Sequence, residues 1–361
     1  MASTLLEKVL ESQERNQMHS FNPVDVVTQL LKVVTKREQE ILQRRYGLGK
    51  TKEETLEEIG TSYDLTRERI RQLERAALVK IKSDPSFKEH TSTIEGLALS
   101  VLEKYGGLME HSHLVVAIYP HAEHSDEHLQ HITFLLEGLL DHVITRVIKR
   151  GVIHPSWQIA NMNADATFSL INKIEDLLTS MGEPVNEQEL IREIQKLHPS
   201  HHENIIEAAM RISSKIKRNI FGRWGLTHWP HITPRRMADK IYLVLKETAK
   251  PLHFEDITRS INDYKFDHKK AHTPTVHNEL ILDPRFVLIG RGIYALREWG
   301  YKEGVVKDLI TRILQEKGPL AKEQILEIIK PQRIIKDTTI YLALSDKSRF
   351  KRTEDGTYVV A

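Results

Sequence analysis

Four short segments of like character recur along the last three quarters of the chain, and their spacing restricts the fold more than any other feature. They are Gly107–Leu114, Glu183–Leu190, Lys250–Ile257 and Gly318–Ile325 (GLMEHSHL, EPVNEQEL, KPLHFEDI and GPLAKEQI). Leu108, Pro184, Pro251 and Pro319 hold matching places in them, so each step covers one small module of roughly 70 residues. An amphipathic helix precedes each segment, as Ile241, Val244 and Leu245 illustrate, and another begins inside it. Each module then closes on an apolar run broken by a Gly or Asp-Gly turn: Val147–Ile153, Ile220–Leu226, Phe286–Leu296 and Phe350–Val360, the pattern of a β-hairpin. Three hairpins end on a tryptophan, Trp157, Trp229 and Trp299, which predicts one packing slot used three times. A three-helix core finished by a two-stranded wing is a winged helix. The expected fold class is therefore mainly α, a helix-turn-helix domain followed by four tandem winged-helix domains, each with a small β-hairpin wing.

The expected boundaries are N-terminal helices at 1–34, the helix-turn-helix at 35–83, and winged helices at 90–160, 164–231, 235–301 and 303–361. Two amphipathic helices are expected between Ser3 and Val34, the second starting at Asn22-Pro23. A break is expected at Ser83–Ser86.

Composition excludes several classes of function. The chain has no cysteine, which removes disulfide frameworks, thiolate nucleophiles and Cys-ligated metals, and suits a reducing cytoplasm. No apolar run approaches the ~18 to 20 residues of a membrane span, so no membrane partner is expected. Met1–Asn16 carries Glu7, Glu11 and Glu14 and does not read as a secretion signal, so a cytoplasmic location is expected. Lys and Arg total 52 against 50 Asp and Glu, a net charge of +2, so any affinity for nucleic acid must come from local clustering.

Such clustering is found between Thr35 and Lys82, where 12 Lys and Arg face 9 Asp and Glu. Within it, Thr55–Glu74 (TLEEIGTSYDLTRERIRQLE) has the two-helix rhythm of a helix-turn-helix. Ile59, Tyr63 and Leu65 supply buried positions around the turn, Gly60 lets the helices approach, and Asp64 sits where the chain reverses and tolerates a left-handed conformation. Thr66 caps the second helix. At about 100° of rotation per residue, Ile70, Leu73 and Ala77 share one narrow arc and form a buried stripe. Arg67, Glu68, Arg71 and Gln72 fall on the roughly opposite side, outward and close to the N-terminal end that a recognition helix puts into the major groove. These side-chain types read bases: Arg pairs with guanine, Gln with adenine, and Glu accepts from cytosine. Thr66, Arg69, Arg75, Lys80 and Lys82 are expected at phosphates of double-stranded DNA. The competing reading is a solvated, salt-bridged helix. Against it, the like charges Arg67 and Arg71, four apart, cost a lone helix on the order of a few tenths of a kcal/mol unless an anion meets them.

The run Thr35–Leu48 (TKREQEILQRRYGL), followed by Thr55–Gly60 and Leu65–Glu74, resembles region 4 of the principal sigma factors of bacterial RNA polymerase. The resemblance implies binding of a −35-type promoter element through base contacts by Arg67, Glu68, Arg71 and Gln72. It also implies docking on the β flap of the RNA polymerase core and a nucleoid-associated location in a bacterium. Sigma region 2 is aromatic-rich, whereas only Phe21 lies ahead of Tyr46 here, so the resemblance does not extend to promoter opening. Met237–Tyr301, with Lys250–Ile257 and the Phe286–Leu296 hairpin, resembles the winged-helix family called HARE, which implies interaction with DNA or the transcription apparatus.

Other signals carry less. Gly49-Lys50-Thr51 imitates the end of a phosphate-binding loop, but Arg44 stands where that loop needs glycine. His121, His124, His128 and His131 have helical spacing compatible with a metal site, as do His198, His201 and His202; both groups are read as surface histidines and no metal is expected. Trp224 and Trp229, near Lys215, Lys217, Arg218 and Arg223, suit wing-to-core packing better than nucleic-acid contact. Neither a nuclease constellation nor a nucleophile with a partnered base is recognisable, so no enzyme activity and no cofactor are expected. The alternative to a polymerase-bound factor is a DNA-binding regulator or chromosome-organising protein that acts without polymerase. A module of a restriction system is a third reading.

Overall fold

The computed structural model describes residues 21–49, 52–149, 151–301, 304–333 and 335–361. The first of the two expected N-terminal helices, and Lys50 and Thr51 of the imitation loop, lie outside the described residues. The chain divides into two compact units: residues up to Lys217 with Trp224–Thr227, and Arg218–Arg223 with His228–Ala361.

The first unit opens with four helices, α1 (Pro23–Leu31), α2 (Lys36–Tyr46), α3 (Leu56–Ser62) and α4 (Arg67–Ser83). Local chemistry sets their ends. Asn22 accepts a hydrogen bond from the Val24 amide at 3.0 Å and Pro23 takes the first turn, where its missing N–H costs nothing. Thr35 and Thr55 each form a capping box with the glutamate three residues on, Glu38 and Glu58, satisfying amides that the helix cannot.

Next come α5 (Phe87–Lys104), β1 (Leu108–Glu110), α6 (His111–Ile118), α7 (Asp126–Phe134, continued by a π turn through Leu139), β2 (Ile144–Val147) and β3 (Ser156–Ile159). The same order returns as α8 (Asp165–Met181), β4 (Val185–Asn186), α9 (Glu187–Leu197), α10 (Glu203–Ile212), β5 (Ile216–Arg218) and β6 (Arg223–Leu226). In the second unit it returns as α11 (Met237–Thr248), β7 (Leu252–His253), α12 (Phe254–Tyr264), α13 (Thr273–Leu282), β8 (Phe286–Gly290) and β9 (Ile293–Leu296). Last come α14 (Val306–Lys317), α15 (Lys322–Ile329), α16 (Asp337–Leu344), β10 (Phe350–Arg352) and β11 (Tyr358–Val360). The fold is mainly α, with a helix-turn-helix followed by winged helices, as the sequence predicts.

Three corrections concern the wings. The recurring segment holds a strand of its own, so the sheets are three-stranded, in the orders β1-β3-β2, β4-β6-β5 and β7-β9-β8. In the last module the strand shrinks to one bridge, Leu320 to Tyr358. Strands this short cannot show alternation, which is why periodicity does not reveal them. Second, Val147–Ile153 is mostly the loop of its hairpin, whose strands are β2 and β3.

Third, the repeated aromatic slot lies inside the last strand of each sheet rather than after it. Met109 pairs with Trp157, Leu252 with Tyr294 and Leu320 with Tyr358, and Trp224 holds the matching place in β6. Trp157 donates its indole N–H to His111 Nδ1 and Trp224 donates to Glu187 Oε2, both at 2.9 Å. In each case the acceptor is the first residue of the helix that begins inside the recurring segment. Both indoles are buried, which satisfies the one donor each carries. Trp229 and Trp299 lie beyond the strands and are half-buried; Trp299 packs against the core around Phe286 and Leu296.

Candidate nucleic-acid interface

The geometry of the turn between α3 and α4 follows from three residues. Gly60 is buried, and a Cβ there would stand 2.6 Å from the Leu65 carbonyl oxygen, so only glycine permits this approach. Its carbonyl accepts hydrogen bonds from the amides of Tyr63 and Leu65, both at 3.0 Å. Asp64 takes the left-handed conformation with φ of 53°, a region that Asp tolerates better than most residues. Thr66 then caps α4 by accepting from the Arg69 amide at 3.2 Å. Thr66→Ala should cost about 1 kcal/mol of stability in urea unfolding.

Behind the turn, Ile41, Ile59 and Ile70 form a closed apolar cluster with Leu56, Tyr63, Leu65 and Leu73 around it. Farther along α4, Ala77 and Ile81 are fully buried. The expected stripe of Ile70, Leu73 and Ala77 therefore faces inward, with Leu73 half-buried. Arg44 ties the preceding loop to this core through a two-pronged pair with Glu54, at 2.9 and 2.6 Å, and a bond to the Ser62 hydroxyl at 2.7 Å. On its other side the block packs against α7, where the Tyr46 ring meets the edge of Phe134 at 4.9 Å between centroids. Glu74 is drawn into this contact; burial raises its carboxyl above the usual range while the Tyr46 hydroxyl hydrogen-bonds it.

Arg67, Glu68, Arg69, Arg71 and Gln72 are all exposed at the leading end of α4. Their own pairings are local. Arg71 grips the Glu68 carboxylate with two bonds of 2.8 and 2.6 Å, which holds that carboxyl below its ordinary range. Arg69 donates to the Gln72 side chain at 3.2 Å. Arg67 and Arg75 are exposed and form no ion pair or side-chain hydrogen bond among the described residues. The Glu68–Arg71 pair is solvent-exposed, so it is weak and exchangeable for a stronger partner.

The two lysines at the far end of α4 are engaged elsewhere in the fold. Lys80 pairs with Glu38 and lowers the pKa of that carboxyl, and Lys82 bonds to Asp141 at 2.6 Å. These partners lie 42 and 59 positions away, and no sequence signal announces them. The structure thus gathers the four base-reading candidates and Thr66 and Arg69 at one end, leaves Arg75 open, and pairs Lys80 with buried Glu38 and Lys82 with exposed Asp141.

Of the two histidine groups, His121 and His202 are exposed and, among the described side chains, only His131 is buried. His121 and His128 lie edge-on to Tyr119, and buried His131 has Nδ1 2.6 Å from the Glu127 carbonyl oxygen; the side chain of His124 lies outside the described residues. His198 and His201 neighbour each other at 6.0 Å between rings. Among the described residues no helix is long and apolar enough to cross a membrane.

Comparison with known proteins agrees with this geometry. Residues 30–83 match the family described as sigma-70, region 4, and residues 235–299 match HARE-HTH, described as an ASXL and restriction endonuclease HTH domain. The chain is similar to the RNA polymerase sigma factor RpoD of Neisseria gonorrhoeae, 43% identical over 58 residues, which is 16% of this chain and 9% of that protein. It is also similar to the RNA polymerase sigma factor SigA of Clostridium acetobutylicum, 47% identical over 64 residues, 17% of each protein. The chain thus spans less than a fifth of the length of these relatives. The similarity to both sigma factors amounts to a single segment, and what this chain joins in one polypeptide is a sigma-70 region 4 helix-turn-helix and, well downstream of it, a HARE-type one.

Proposed function

We propose that the chain is a sequence-specific DNA-binding transcription factor of bacterial, sigma-like type, which reads a −35-type element in the major groove through α4 and contacts RNA polymerase during initiation. One observation carries the reading: Arg67, Glu68, Arg71 and Gln72 stand exposed on the leading turns of a helix whose opposite side is sealed by Ile70, Ala77 and Ile81. A helix so anchored presents these groups from a fixed backbone at the end that enters the groove. Arg69 and Arg75 supply phosphate contacts, with Thr66 at the helix start. Lys80 and Lys82 join them only by leaving Glu38 and Asp141. The β flap is the proposed polymerase contact, on the strength of the region 4 similarity, and the nucleoid is the proposed location. No chemical step and no cofactor belong to this reading.

The test has two arms. Gln72→Ala should lose roughly 1 to 3 kcal/mol of discrimination at one base position, whereas Arg75→Ala should weaken all duplexes alike and lower the salt slope by about one. Equal loss on every sequence from both changes would remove base reading. Retention of the polymerase core by the immobilised chain decides the second arm. Intact DNA binding without polymerase would favour a polymerase-independent regulator, a reading supported by how little of the sigma factors this chain matches.

A further inference from the structure

The last helix of a helix-turn-helix fold is the one that enters the major groove, so its availability decides whether a module can read DNA. The four winged helices differ sharply here. In the first, α7 is packed against α1 and α2, Phe134 meets Tyr46, and Leu78 of α4 lies against Gly138 of the continuing turn. Asp126 is the one exposed residue from there to Leu139 among those whose side chains are described. In the second, α10 is packed against β1 and α8; Ile205 lies against Gly106, and Glu207 meets His113 at 3.6 Å. Glu203 is its one exposed residue, and the His154 amide donates to the Ile212 carbonyl at 2.8 Å.

In the second unit α13 and α16 both keep exposed faces, but the turns leading into them are unlike. Before α16, Lys330 is bound to Asp337, and buried Arg333 donates to the carbonyls of Leu288 and Gly304. The helix itself exposes Thr338, Thr339 and Leu342. Before α13, Lys265, Lys269 and Lys270 are exposed and free of ion pairs among the described residues. The acid between them, Asp267, is already neutralised by the buried Lys240 at 2.7 Å. Lys265 holds the left-handed conformation that reverses the chain after α12, with φ of 50°. Thr275 and Asn278 are the exposed polar groups on the first two turns of α13.

We propose a division of labour among the winged helices. The first braces the region 4 block and the second braces the first, each through its third helix, and neither reads DNA, while the third holds a second stretch of duplex by its phosphates through Lys265, Lys269 and Lys270, with Thr275 and Asn278 beside them. This rests on the DNA-binding reading above, and the experiment separates the two.

The full chain is titrated against a short duplex carrying only the site read by α4 and against a long duplex extending to both sides. The Lys265→Asn, Lys269→Glu, Lys270→Glu variant should match the parent on the short duplex. On the long duplex it should bind roughly tenfold more weakly, with the salt slope reduced by about two to three. Asparagine is chosen at 265 because it tolerates the left-handed backbone, and equal thermal midpoints certify the fold. Arg67→Ala with Arg71→Ala should weaken both duplexes; no effect on either would sink the α4 reading and leave this one standing. Unchanged affinity and slope on the long duplex would overturn the proposal, and so would loss of polymerase retention with DNA binding intact, which would make the turn a protein contact. Amide exchange gives an independent measure: DNA should add protection over residues 265–278 and none over 126–134 or 203–212. Protection of either of those helices would overturn the bracing role.

Discussion

Gly60→Ala is expected to destabilise the helix-turn-helix by about 3 kcal/mol and to abolish tight DNA binding at the same time. The added methyl would stand 2.6 Å from the Leu65 carbonyl oxygen, and that oxygen is backbone, so no side-chain rotation relieves the clash. Relief requires α3 and α4 to separate, which opens the Ile41–Ile59–Ile70 cluster and swings the leading turn of α4 away from its position. The matched control is Gly96→Ala. Gly96 lies in the middle of α5, is exposed, and has nothing within 4 Å of its would-be Cβ. That change should stabilise by up to about 1 kcal/mol, because alanine loses less backbone entropy in a helix than glycine. Urea unfolding of both variants, beside anisotropy titrations with DNA, checks the pair. Equal behaviour of the two would mean that the close approach at Gly60 is not what holds the turn.

Arg71→Ala is expected to lower affinity for a cognate duplex by about 10- to 100-fold and to relax preference at one base pair, if α4 enters the major groove as proposed. The cost is a difference between two partners for one guanidinium. In the free protein Arg71 holds Glu68 in an exposed, readily exchanged pair, so leaving it for a guanine edge is cheap. Glu68→Gln separates the contributions. Removing that carboxylate frees Arg71 and lifts its repulsion of phosphate, so binding to unrelated duplexes should rise while discrimination falls. Competition titrations against scrambled duplexes at fixed salt measure both quantities. A uniform loss across all sequences with Arg71→Ala would assign this side chain to the backbone instead.

How far these features can be read without coordinates varies with the length of the signal. The stripe on α4 is legible because three inward positions, Ile70, Leu73 and Ala77, repeat with the helical period, and Ile81 continues it in the structure. The reversal at Gly60 and Asp64 is legible because few residues tolerate those positions. The strands β1, β4 and β7 are not, since such short runs cannot display a period, although their last residues, Glu110, Asn186 and His253, which cap the helices that follow, lie in the recurring segments. Residue type alone assigns the aromatic slot to Trp229 and Trp299, whereas strand register places Tyr294 in it, and the bond to Glu187, matching that of Trp157 to His111, places Trp224. Tyrosine fills the same space as tryptophan in two of the four modules, and a search keyed to one residue type misses that substitution.

Local properties are written in the sequence: where helices start and stop, which face of each is apolar, and which side chains gather at the leading end of α4. Those depend on neighbours a few positions apart. Only the tertiary structure decided which cations stay open and which third helices stay available. Lys80 and Lys82 find their acids on distant elements, and α7 and α10 are covered by helices and strands of the preceding modules. An apolar or charged face carries no record of what will cover it, because burial energy is non-directional and the choice of partner is made by shape across the whole assembled unit.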